Sequence, residues 1–380
     1  MQSGHYDIVI CGAGPVGMAL ALLLTARGAD PARIALVDAK TVDQVRDDPR
    51  SIALSWGSRQ ILDEIGCWPV ACDPIHEIHV SRRGHFGRTL IGREDYGVEA
   101  LGYVARYGTV VSALAAAAGK CGIVSLRPAH ATSLQEREND VELRFADGGA
   151  VSCALLAQAE GGVFTEQDPR ARRRDYEQTA LIAHVTASAP VPHRAFERFT
   201  DEGPLALLPQ DDGYALVWCA RPDTASRLQG LSDAEFLQQL EHAFGGRLGR
   251  FTGVSARNAY PLGLNAHEVL TRRTVAIGNA AQTLHPVAGQ GLNLGLRDAA
   301  VLARLLGPEA TPERLGRFGA ARRADRGLTI RLTDTLARIF ATSPAGSPSQ
   351  TALGLSLALL DGFKPAQRLL ADHMMYGLRQ

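Results

Sequence analysis

The chain has 380 residues, 46% hydrophobic and 21% charged, enough for one large core or two interleaved ones. Lys plus Arg equals Asp plus Glu, 40 against 40, which excludes a surface built for nucleic acid by bulk charge. Six scattered cysteines without a CxxC pair or zinc-ligand spacing exclude a disulfide framework and a metal site, and no apolar run reaches the roughly 18 residues that span a bilayer.

The expected elements begin with a short apolar run, Tyr6 to Cys11, of the kind that makes a strand buried on both faces. Cys11 reads there as a small hydrophobe. An Ala/Leu-rich helix, Met18 to Ala26, and a second strand, Arg33 to Val37, complete a βαβ unit. Residues 43 to 50 read as a polar loop. Helices are expected at Ser58 to Ile65 and Val110 to Ala118, and strands at Val124 to Arg127, Val141 to Phe145 and Val151 to Ala157.

Near residue 175 the texture changes. Tyr176 to Ala187, Phe196 to Thr200, Leu205 to Pro209 and Tyr214 to Cys219 read as strands of a mixed or antiparallel sheet. Asp233 to Phe244 reads as a helix capped by Ser232. Thr274 to Ile277 returns to the first domain as a buried strand. Helices Leu292 to Leu306, Pro312 to Ala341 and, after a Pro/Ser/Gly break, Thr351 to Leu360 follow. The arginine runs at Arg170 to Arg174 and Arg322 to Arg326 read as solvated faces.

Gly12-Ala13-Gly14-Pro15-Val16-Gly17 is GxGxxG between a strand and a helix. Its glycines permit the tight turn, let backbone approach a pyrophosphate and let helix meet sheet, so phosphates sit on the helix N-terminus. Asp38 follows Gly17 by 38 − 17 = 21 residues, where its carboxylate can accept from both ribose hydroxyls and would repel a 2′-phosphate. A second glycine-rich segment, Gly278 to Gly295, holds another helix start. Its dipole suits the charge that a reduced flavin carries on its pyrimidine side, and a plain NAD dehydrogenase needs no such site.

The chain resembles the ubiquinone-biosynthesis hydroxylases (the UbiH/UbiF/VisC group) among the para-hydroxybenzoate-hydroxylase-like flavin monooxygenases. The resemblance runs through GAGPVGMALALLL, DPRSIALS at 48 to 55, LGYVARY at 101 to 107 and DYEQTALIAHV at 175 to 185. It continues through GPLALLP at 203 to 209, NAYPL at 258 to 262 and HPVAGQGLNLGLRDA at 285 to 299.

The resemblance implies an α/β fold: a glutathione-reductase-like FAD-binding Rossmann domain interleaved with a mixed-sheet substrate domain, and a helical C-terminus. The expected division is 1–174 for the first FAD-binding part, with some substrate-domain strands near 75–105. Residues 175–270 form the substrate sheet, 271–342 return to the FAD domain, and 343–380 form a C-terminal helical segment.

In this pattern Gly12, Gly14, Pro15, Val16, Gly17 and Asp38 hold the ADP part of FAD, and Arg50 reaches toward the flavin. Arg106 lies, within a residue of register, where relatives place a flavin-contacting polar group. Asn279 and Pro286, with Gly289, Gln290, Gly291, Leu292 and Asn293, line the ribityl chain and ring. NAD(P)H is the transient reductant, without a nicotinamide domain of its own. O2 supplies the oxygen for a polyprenyl phenol or quinone precursor.

Two motifs depart from the family. GDAAH is here Gly278-Asn279-Ala280-Ala281-Gln282, where a neutral acceptor replaces a charged one at a cost on the order of 1 kcal/mol in FAD binding. ADG followed by Ser is here Ala159-Glu160-Gly161-Gly162.

His285, beside the flavin loop, is the one candidate base, with a structural role hydrogen-bonded to backbone as the alternative. Tyr214 and Trp218 are candidates for the substrate pocket, with core packing as the alternative. The expected protein is cytoplasmic, possessing at most a peripheral place at the inner face of a membrane, in a quinone-biosynthesis complex or as a homo-oligomer. A competing reading, motivated by Asn279, Gln282 and Glu160, is a non-catalytic homologue that binds lipid or scaffolds such a complex. A third is an FAD-dependent dehydrogenase or oxidase.

Overall fold

The N-terminal apolar run forms strand His5–Cys11, and its parallel neighbours on both sides explain why it carries no polar face. The computed structural model describes residues 4–48, 50–84, 88–160, 172–266, 269–283, 289–341, 368, 371–373 and 375–377. At 172–174, 264–266 and 332–341 it describes backbone alone.

Three sheets organise these residues. The first runs in the order Val124–Leu126, Ile34–Val37, His5–Cys11, Ala150–Gln158, Val141–Phe145, Ala131–Glu136. Strand Thr274–Ala276 returns from far along the chain to lie parallel to Ala150–Gln158. Helices Pro15–Ala26 and Gln290–Leu306 pack on this sheet through one apolar core that includes Met18, Leu20, Leu296 and Leu302.

The second sheet is mixed and nine-stranded. Its order is Gln282–Thr283, Asn258–Ala266, Arg172–Ala187, Gly213–Ala220, Pro204–Gln210, Arg194–Phe199, Glu77–Arg82, Arg88–Gly92, with Phe251–Val254 beside one end of Arg172–Ala187. Helix Asp233–Phe244 covers one face and fills it with Phe236, Leu240 and Phe244. Ser232 caps that helix in a capping box with Glu235. A small third sheet, Ser51–Ser55, Gly102–Arg106 and Cys72–Ile75, wedges between the other two.

Some boundaries differ from expectation. The polar 43–50 stretch contains a short helix, Val42–Arg46, closed by a Thr41/Gln44 capping box. The long helix expected from Pro312 is two, Pro312–Leu315 and Phe318–Ala341. Strands Glu77–Arg82 and Arg88–Gly92 bury polar side chains such as His79, Ser81 and Thr89, so their hydropathy does not alternate cleanly.

The arginine run 322–326 is corrected by the structure. Arg322 and Arg326 are buried, held by Asp298 and Asp325, while Arg323 remains exposed. Run composition cannot show this, because helical period places only every third or fourth residue on the inner face. The expected helix Thr351 to Leu360 lies outside the described residues. No helix among the described residues is long and apolar enough to cross a membrane.

Candidate active site

The first cradle is built by backbone proximity. Gly12 has φ +101°, and a Cβ there would lie 2.4 Å from the Glu160 amide nitrogen; a Cβ on Gly17 would lie 1.9 Å from the Gly12 carbonyl oxygen. Neither position accepts another residue without opening the turn. Gly14 stands at the N-cap of Pro15–Ala26 with no side chain capping it, and Pro15 occupies the first helical position. The helix therefore presents its first amides and positive dipole end outward, as an anion such as a pyrophosphate requires.

Asp38 sits at the end of strand Ile34–Val37. Its Oδ2 accepts from Ala13 N at 2.8 Å and its Oδ1 from Lys40 N at 2.8 Å, with Arg127 Nη2 at 3.7 Å. Each oxygen keeps a further lone pair for a ribose hydroxyl. Opposite it, Glu160 has a buried Oε1 without a hydrogen-bond partner. Burial first, and Asp38 second, push its carboxyl up to about 7.

A second uncapped helix N-terminus stands at Gly289, with φ +61°, where a Cβ would lie 3.1 Å from Ala53 Cβ. The two helix starts interlock through Val16. A Cβ on Gly295 would lie 2.7 Å from Val16 Cγ2, and one on Gly278 3.2 Å from Val16 Cγ1. Val16 thus acts by packing the two segments together. Asn279 is exposed next to Gly291, so its amide is open to a ligand.

Asn293 is a cross-link. It accepts from Ser55 N at 2.8 Å and Ser58 Oγ at 2.7 Å and donates to Ala53 O and Gly289 O. Gln290 is buried, Gly291 faces Asn279, and Leu292 packs at the rim of the large core. His285 and Pro286 lie outside the described residues.

The Gln282 departure has a physical explanation. Its Nε2 donates to Asp298 Oδ2 at 3.1 Å, as does Gly278 N at 3.1 Å. Arg322 and Arg326 donate to the same carboxylate. Burial pushes the Asp298 carboxyl up, but Arg326 and Arg322 outweigh it and hold it below the usual range. The neutral glutamine therefore keeps a donor on the anchor of the second glycine segment.

Arg50 is held away from a free reach. It forms a bidentate pair with Asp48, Nε to Oδ1 2.9 Å and Nη2 to Oδ2 2.6 Å, and its guanidinium lies 4.6 Å from the Tyr107 ring centre. Arg106 pairs with Asp211 on the surface. The residue turned toward the cradle is its neighbour Tyr107, whose hydroxyl would lie 3.4 Å from a Cβ on Gly14. Arg106 is the N-cap and Tyr107 the first residue of helix Tyr107–Cys121, and the change from extended to helical backbone between them turns the two side chains apart.

Tyr214 and Trp218 are not pocket residues. Both face the helix-covered core: Tyr214 Oη donates to Val191 O and accepts from Val191 N, and Trp218 lies 5.9 Å from the Phe236 ring. Period-two reasoning groups them on one face correctly but cannot say which face a helix will cover. Sequence reasoning missed Glu197, the one acidic residue of strand Arg194–Phe199. It also missed Asp298 as the anchor of the second glycine segment. Among the described residues no group of His, Cys, Asp and Glu could hold a metal.

Comparison with known proteins agrees with this geometry. The family model described as an FAD binding domain matches residues 5–325. The ubiquinone hydroxylase UbiL of Rhodospirillum rubrum is 31% identical over 98% of this chain and 90% of its own. The 3-demethoxyubiquinol 3-hydroxylase of Escherichia coli is 29% identical over 80% of this chain and 81% of its own. Among solved structures, the p-nitrophenol 4-monooxygenase PnpA of Pseudomonas putida DLL-E4 superposes with a TM-score of 0.77 at 17% identity, covering 100% of both chains. That last likeness concerns the fold.

Proposed function

The chain belongs to the FAD-binding-domain family whose relatives include the ubiquinone hydroxylases, and from that premise we propose that it hydroxylates a polyprenylated phenol or quinone precursor with NAD(P)H and O2. It is an FAD-dependent monooxygenase. The observation that carries the reading is the pair of uncapped helix starts, at Gly14 and Gly289, locked side by side by Val16 against Gly278 and Gly295.

The residues fit the cofactor. The Gly12–Gly17 turn would take the pyrophosphate, Asp38 the ribose hydroxyls, Asn279 the ribityl chain and the Gly289 helix start the pyrimidine side of the ring. The cofactor held there would supply two-electron chemistry between NAD(P)H and O2, with one oxygen atom entering the substrate ring and the other leaving as water. The protein's own part is to hold, orient and exclude water. Tyr107 and Arg50, stacked, close the side of the cradle facing the third sheet, and the face of the second sheet turned away from helix Asp233–Phe244 offers an apolar wall. A tailed phenol comes from a bilayer, so docking at the inner face of a membrane or in a quinone-biosynthesis complex belongs to the same proposal.

The test is incubation of the FAD-loaded protein with NAD(P)H and a 2-prenylphenol under isotopically labelled O2. One labelled oxygen in the product ring is expected. Substrate oxidised without labelled oxygen would contradict the proposal.

A further inference from the structure

We propose that Glu197 is the polar anchor of the substrate pocket: its carboxyl group hydrogen-bonds the ring hydroxyl of the bound phenol and fixes which way the ring lies. This rests on the hydroxylase reading above.

The direction of the side chain follows from the strand Arg194–Phe199. Phe196 packs edge-on against Phe244 at 5.4 Å between centres, and Arg198 Nε donates to Ala243 O at 3.2 Å, so both face the helix side. Successive side chains of a strand alternate, and Glu197 therefore points to the opposite face. Its neighbour on that face, Ala195, packs with Ile75 and Val104 of the third sheet.

The strand registers place Glu197 in one transverse row with Ile182, Val217, Ala206 and Val80. All five keep partial accessibility. The next row, Ala180, Cys219, Pro204, Phe199 and Arg82, is buried. A strip that stays accessible in mid-sheet, beside a buried strip, leaves room for a ligand against that face of the sheet.

Four of the five residues in the open row are apolar, and Glu197 is the exception. No hydrogen bond or ion pair to its carboxyl occurs among the described residues. Burial alone pushes it up to about 7, so surrounding protein is dense although the side chain retains accessible surface. The titratable group next to it is Cys219 of strand Gly213–Ala220, whose thiol is raised by burial first and by Glu197 second. A deep carboxyl without a partner is costly unless a ligand supplies one. A phenol hydroxyl suits either form, donating to the carboxylate or accepting from the acid.

The experiment uses FAD-loaded wild type, Glu197→Gln and Glu197→Leu. Binding of 2-prenylphenol and of its O-methyl ether, which cannot donate, is followed by perturbation of the flavin absorbance. Wild type should prefer the phenol by about tenfold or more, as a hydrogen bond to a charged group allows. Glu197→Leu should lose that preference by weakening the phenol alone, while Glu197→Gln should keep part of it and lose the change in phenol affinity near pH 7. Both should keep one FAD per chain. If Glu197→Leu fails to take up FAD, Glu197→Gln decides through its pH profile. Variants that bind both probes as wild type does would overturn the assignment of Glu197 alone. A wild type that carries FAD and binds neither probe would overturn the phenol reading and this inference with it.

Discussion

Asp298 and Glu197 are both carboxylates deep in the protein, and their surroundings are opposite. Asp298 is fully buried and accepts from Gly278 N, Gln282, Arg322 and Arg326, which hold its carboxyl below the usual range. Glu197 faces an apolar row, and burial alone lifts it to about 7. In the first region desolvation is offset within the chain, so the carboxylate serves architecture: it ties the second glycine segment to helix Phe318–Ala341. In the second it is not, which marks a place prepared for a ligand. Glu160, with its unpartnered Oε1 facing the first cradle, belongs with Glu197.

That contrast breaks if Asp298 proves dispensable. Three guanidinium groups, Arg297, Arg322 and Arg326, share the two carboxylates Asp298 and Asp325, so the cluster already carries excess positive charge. Asp298→Ala should cost about 3–5 kcal/mol in denaturant unfolding because it leaves buried cations uncompensated. A loss below 1 kcal/mol would contradict the assigned role. Gly17→Ala comes next: the 1.9 Å approach to the Gly12 oxygen forces the turn open. About 1–3 kcal/mol of strain should appear as a roughly ten- to hundredfold loss of FAD affinity, read by flavin absorbance titration.

The two carboxylate classes also predict opposite pH signs. Glu160 and Glu197 hold protons in the folded chain up to about 7, whereas unfolded glutamates release theirs near the ordinary 4.5. The folded apoprotein then binds more protons, so stability is lost as pH rises from about 4.5 to 7 and levels off above. Asp298 contributes stability that is lost only as pH falls through its lowered value. The apoprotein should therefore melt at a lower temperature at pH 8 than at pH 5, and Glu197→Gln should flatten the difference by on the order of 1–3 kcal/mol. An unchanged slope would remove Glu197 from the unpaired class. The smallest effect is expected from Asn279→Asp, which restores a charged acceptor and should tighten FAD several-fold, on the order of 1 kcal/mol, in the same titration.

How much of this was legible in sequence follows the range of the interactions. The Gly12–Gly17 turn and Asp38 are a local fingerprint, since the approach of Gly17 to the Gly12 carbonyl arises within one βαβ unit, whereas the pressure of Ala159 and Glu160 on Gly12 comes from a distant strand. The helix Asp233–Phe244 was legible because Ser232 and Glu235 sit three residues apart. The Asp298 network was not, because its partners at 278, 282, 322 and 326 meet only after folding, and a run such as Arg322 to Arg326 looks like a solvated face until its helix is oriented. Tyr214 and Trp218 stood between core and pocket for a related reason: alternation separates the faces of strand Gly213–Ala220, but the later helix decides which face becomes core. The same helix leaves Glu197 on the open side.

The most direct measurement is a visible-absorption titration of the purified apoprotein with FAD. A protein-bound flavin spectrum saturating at one FAD per chain is predicted, with Asn279, Gln282 and Glu160 all tolerated in the cradle. A protein that stays colourless after exposure to excess FAD and removal of the unbound cofactor would contradict it.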